Sequence, residues 1–73
     1  MNEIAKLISQ ERNKNEISIA ELSRRSGVPY STLAQIEKGR CIPQIVTYEK
    51  IMGALGYEVV LMKKWDEKIF KES

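Results

Sequence analysis

The sequence predicts an all-α fold of four to five short helices followed by one C-terminal β-strand, and three observations carry that prediction. Apolar residues recur at spacings of three and four over four separate stretches, glycines stand where three of those stretches should end (Gly27, Gly39, Gly56), and the period changes only once, over residues 57–62. The chain has 73 residues, of which 42% are hydrophobic and 30% charged, the balance of an ordinary globular domain rather than a disordered one. A chain of this length buries only about 60% of its unfolded surface, which leaves room for one core and no large catalytic cleft.

The elements follow in order. Ile4, Leu7 and Ile8 stand at helical spacing with Glu3, Lys6, Gln10 and Glu11 on the other side, which predicts an amphipathic first helix from Asn2 to about Arg12. The polar run over residues 13–16 interrupts it. Ser18-Ile19-Ala20-Glu21 then has the Ser-x-x-Glu form of a capping box, in which each side chain satisfies a free backbone N–H, so a second helix starts at Ser18. It should run to about Ser26, because Gly27 suits the left-handed conformation that ends helices and Pro29 follows. Proline is well tolerated where a helix begins, so Pro29 opens a third helix from Tyr30 to Lys38, closed by Gly39. After a loop over residues 39–43, Ile45, Tyr48, Ile51, Met52 and Leu55 mark a fourth helix, which Gly56 terminates. The expected core comprises Ile4, Leu7, Leu22, Leu33, Ile36, Ile51 and Leu55. Tyr57-Glu58-Val59-Val60-Leu61-Met62 is rich in strand-favouring residues and reads as the one strand. Residues 65–73 place Trp65, Ile69 and Phe70 among charges and fit either a frayed tail or a short docking helix. The chain thus divides into a helical unit, 1–56, and a strand with its tail, 57–73.

Composition also narrows the function. There is no histidine, the commonest acid–base group and metal ligand, and the single cysteine excludes an internal disulfide and a metal site built on paired thiolates. With no Gly-rich phosphate loop and no plausible carboxylate dyad either, we expect no enzyme, no cofactor and no metal. No stretch has the roughly 18 apolar residues of a membrane span, and Met1 to Asn15 lacks a signal-peptide core, so a cytoplasmic location is expected. Net charge is only +2, so any nucleic-acid partner must be argued from where the charges lie.

The stretch from Ala20 to Gly39, with Leu22, Gly27, Val28, Leu33, Ile36, Lys38 and Gly39 in order, resembles the helix-turn-helix of the Cro/CI or Xre-type repressor family, a lambda-repressor-like domain. Leu22, Val28, Leu33 and Ile36 can face a common core while Gly27 makes the sharp turn, leaving the start and outer face of the third helix free to enter a major groove. The resemblance runs from Ile4 to about Leu55, through Pro43 and Ala54-Leu55-Gly56. It implies a transcriptional regulator bound to double-stranded DNA. Base-reading positions would be Tyr30, Ser31 and Gln35, with Ala34 on the same approach. A Gln35 amide can pair bidentately with adenine N6 and N7; Tyr30 can touch a thymine methyl or a phosphate, and Ser31 almost any base edge or phosphate. Outside such a fold, Gln35 would be an ordinary solvated position. Phosphate contacts would come from Ser18 and the amides opening the second helix, from Thr32, and from Lys38 and Arg40 beyond the third. The Thr32 hydroxyl can equally bond within its own helix.

The resemblance further implies that Arg12 and Glu37 form a structural salt bridge tying the first helix to the end of the third; taken alone they are two surface charges. Arg24 and Arg25 read as solvated, and Cys41 as incidental. Ile19 stands where the family often has glutamine, which removes one habitual phosphate contact.

A lone strand leaves its backbone groups without a ladder, and an unpaired apolar edge invites association. Tyr57, Val59 and Leu61 fall on one face and Val60 and Met62 on the other, so the economical partner is the same strand of a second copy, antiparallel across a two-fold axis. Such a homodimer would set two recognition helices about 34 Å apart, one helical turn of DNA. Helical unit plus C-terminal strand is similar to HipB-like antitoxins of the Xre family. The alternative function is therefore an antitoxin that binds a toxin protein and represses its own operon.

Overall fold

The computed structural model describes residues 2–60, which form four helices: α1 (Glu3–Lys14), α2 (Ile19–Ser26), α3 (Tyr30–Glu37) and α4 (Ile45–Ala54). α1 begins one residue later than its apolar pattern suggests, because Asn2 is its cap and accepts a 2.7 Å bond from the Ala5 amide. α1 also runs two residues beyond Arg12. Its end is a Schellman closure in which the Glu16 amide reaches the Asn13 carbonyl and the Ile17 amide the Arg12 carbonyl. Glu16 sits there at φ 58°, a left-handed conformation that costs a residue with a Cβ about 1 to 2 kcal/mol. Glu16→Gly is therefore expected to stabilise the fold by roughly 0.5 to 1 kcal/mol after glycine's greater unfolded-state freedom is subtracted, read as a higher urea midpoint.

The capping box forms in half. Ser18 Oγ accepts the Glu21 amide at 3.0 Å, but the Glu21 carboxylate turns away from the cap to bind Arg24 and Arg25. Two guanidinium groups are a stronger attraction for a carboxylate than one amide, and they hold its pKa below the ordinary value, through the Arg24 bond first and the Arg25 bond second.

Behind these helices lies one apolar core of Ile8, Leu22, Val28, Leu33, Ile36, Ile51, Met52 and Leu55, with Ile4, Ile17, Ile19, Tyr48, Ala54 and Val59 packed around it. α2 lies against both α3 and α4, and α1 against α3. Leu7, expected inside, is 38% exposed, whereas Ala5 is fully buried. At 3.6 residues per turn Leu7 points about 100° away from Ile8, off the stripe that Ala5, Ile8 and Arg12 share. A short apolar run permits either face; only packing against α3 chooses.

No strand forms among the described residues. Residues 57–60 make no ladder, and Leu61, Met62 and residues 65–73 lie outside the described residues. Within the part described, Val59 packs on the core, the Tyr57 hydroxyl donates to Glu11 Oε1 at 2.7 Å, and Val60 is 65% exposed. Tyr57 and Val59 thus contact the helices of their own chain.

Candidate nucleic-acid interface

The two central helices meet at a three-residue turn, Gly27-Val28-Pro29. Gly27 has φ 78° and its amide caps α2 on the Ser23 carbonyl at 2.9 Å, a geometry that any Cβ would strain. Val28 is buried, and Pro29 enters α3 at φ −56°, already helical in φ. The turn therefore fixes where α3 begins.

Because Leu33, Ile36 and Glu37 are buried, the opposite side of α3 is determined. Ser31, Ala34 and Lys38 follow at spacings of three and four along the outward ridge, flanked by Gln35 on one side and by Tyr30, 55% exposed, on the other. Thr32 is set apart from them. It is half-buried, one turn before Ile36, on the flank that joins the core. Ala34, half-buried like Gln35 and Thr32, projects only a methyl group, so the middle of this ridge can come close to a flat surface, with the longer Gln35 and the exposed Tyr30 beside it.

This ridge suits a polyanion for two reasons. The one carboxylate in α3 is Glu37, and it faces inward. Further, α3 has no side-chain cap and no acidic residue in its first turn, unlike α1 with Asn2 and Glu3 or α2 with Ser18 and Glu21. The first amides of α3 thus keep their donors and the positive end of the helix dipole unneutralised. Lys38 and Arg40 stand exposed at its other end, in no ion pair among the described residues. Ser18 is exposed at the start of α2, but its hydroxyl oxygen already accepts the Glu21 amide. Its O–H proton and the Ile19 and Ala20 amides that open α2 are what this helix start can still offer.

The ridge is held from behind by Arg12 and Glu37. Arg12 Nε donates to Glu37 Oε2 at 2.8 Å, Nη2 to Oε1 at 3.0 Å, and Nη1 to the Ile17 carbonyl at 2.9 Å. The side chains are 14% and 8% exposed. Bonding to Glu37 outweighs the cost of burial and holds the guanidinium protonated even more firmly than usual. This one residue joins α1, the loop before α2 and the end of α3. Arg24 and Arg25, by contrast, are exposed and bound to Glu21 of their own helix, and Cys41 is exposed in the loop after α3.

Two features of the site lie outside the sequence reading. Ser23 Oγ donates to the Val28 carbonyl at 2.6 Å and Ser26 Oγ accepts the Val28 amide at 3.2 Å, so serines of α2 hold the turn. The second is the Tyr57–Glu11 bond, 46 residues apart. A serine two residues before a turn amide is a recognisable local signal; no spacing rule announces the other two contacts.

A helix-turn-helix family model matches residues 8–61, from Ile8 in α1 through all of α2, α3 and α4. No curated protein and no solved structure matches the chain.

Proposed function

The chain belongs to the Xre-type helix-turn-helix family, and from that premise we propose that this DNA-binding regulator is a sequence-specific repressor which holds a palindromic operator as a homodimer. The observation that carries the reading is the outward side of α3, free of carboxylates and backed by a closed core. In this reading Gln35 is the main base reader, Ser31 and Tyr30 contact base edges or phosphate, and the Ala34 methyl lets the helix approach the groove floor. Lys38, Arg40, Ser18 and the amides opening α2 hold phosphates. Thr32 is the weakest member of the set, given its place beside Ile36.

Selection from random duplexes with the purified protein tests the reading, and failure to enrich any sequence sinks it. On the enriched sequence, Gln35→Ala should cost about 1 to 3 kcal/mol while binding to random duplex stays unchanged. Arg40→Ala should weaken both, and lower the slope of log affinity against log salt by about one unit. Equal losses for Gln35→Ala on both duplexes would remove it from base readout.

A second reading, a toxin-binding antitoxin, draws support from exposed apolar residues in the loop after α3 and at the start of α4, Ile42, Ile45 and Val46, which suit a protein partner. DNA binding by the pure protein, with no other protein added, favours the first reading. The dimer is proposed on residues 57–62: Tyr57 and Val59 turned toward their own domain leave the backbone edge for an antiparallel copy. No helix among the described residues is long and apolar enough to cross a membrane. The domain division proposed is the helical unit, 1–56, followed by a strand and tail, 57–73, whose first residues Tyr57 and Val59 contact that unit.

A further inference from the structure

We propose that Ser23 and Ser26 are positioning residues for DNA recognition: together they lock Val28 and thereby set the angle at which α3 is presented by α2. The inference rests on α3 being the helix that enters the groove.

Val28 is the middle of the turn and is buried. Among the described residues neither its amide nor its carbonyl has a backbone partner: the first capping bond of α3 uses the Pro29 carbonyl, taken by the Leu33 amide at 3.0 Å, and that of α2 uses Gly27. Pro29 has no N–H to contribute. Buried backbone groups must be satisfied, and here both are satisfied by side chains of α2. The Ser23 hydroxyl donates to the carbonyl at 2.6 Å across five residues, and Ser26 Oγ accepts the amide at 3.2 Å. The two bonds hold the peptide groups on either side of Val28, one at its amide and one at its carbonyl, so a rotation about Val28 strains both. A rotation there tilts the start of α3, because the buried residues that hold α3 from behind, Leu33, Ile36 and Glu37, all lie beyond its first three residues, Tyr30, Ser31 and Thr32.

Non-specific binding depends on charge and tolerates a tilt of α3, whereas a bidentate base contact does not. In the full chain, Ser23→Ala should therefore lower affinity for the selected duplex by about tenfold, as expected when one base contact is misaligned. Affinity for random duplex should stay within twofold. Ser23→Thr, which keeps the hydroxyl, should restore selectivity, and Ser26→Ala should speed hydrogen exchange at the Val28 amide. Residual dipolar couplings on the unliganded protein read the α2–α3 angle directly, and it should shift in Ser23→Ala and return in Ser23→Thr. An unchanged angle overturns the lock, as do parallel losses on both duplexes. A wild-type chain that selects no duplex overturns the DNA reading instead, and the angle still decides the lock.

Discussion

Glu37→Ala is expected to destabilise the chain by about 3 to 5 kcal/mol, because it strands a guanidinium that is only 14% exposed and cannot deprotonate. Small domains are stable by roughly 0.05 to 0.15 kcal/mol per residue, so a loss of that size takes a large fraction of what this one has. The loss also has a place. Arg12 joins the end of α3 to α1 and to the Ile17 carbonyl, so α3 should detach first at its C-terminal end, next to Lys38 and Arg40. Urea denaturation followed by circular dichroism measures the effect. A cost below about 1 kcal/mol would place the pair with exposed ion pairs, whose worth is that small. The double change Arg12→Met with Glu37→Leu separates the terms: without an uncompensated charge it should be far milder than Glu37→Ala.

Deleting residues 61–73 is expected to lower affinity for a two-half-site operator by about 100-fold to 10,000-fold, the gain that linking two binding modules provides, and to leave binding to one half-site unchanged. The cut belongs after Val60 rather than after Gly56. Val59 packs on the core and Tyr57 donates to Glu11, so removing them would damage the fold and confound the result. The 1–60 fragment should keep its helical spectrum and sediment as a monomer. A fragment that still dimerises moves the interface elsewhere, with Ile42, Ile45 and Val46 the next surface to test.

Much of this molecule is legible along the chain because helices and caps are local. Apolar spacing, Ser18 before a helix and Gly27 before Val28-Pro29 each act within about one turn, and all four helices lie close to where those signals put them. Side-chain choices inside a helix are less local. Glu21 could bond its cap or its arginines, and charge attraction takes it to Arg24 and Arg25; Leu7 and Ile8 could each face inward, and the position of α3 selects Ile8 with Ala5.

The sequence by itself determined four helices and a glycine turn between the second and third, since periodicity and backbone conformation depend on neighbours within a few residues. Only the tertiary structure decided that Glu37 faces inward and leaves the α3 ridge without a carboxylate, that Tyr57 returns to Glu11 across 46 positions, and that Val59 packs on the core, whereas the Arg12–Glu37 pair was legible through the family resemblance alone. Contacts of that span depend on how complete helices stack, because burial rewards whichever face the neighbouring helix covers and carries no label in the local pattern.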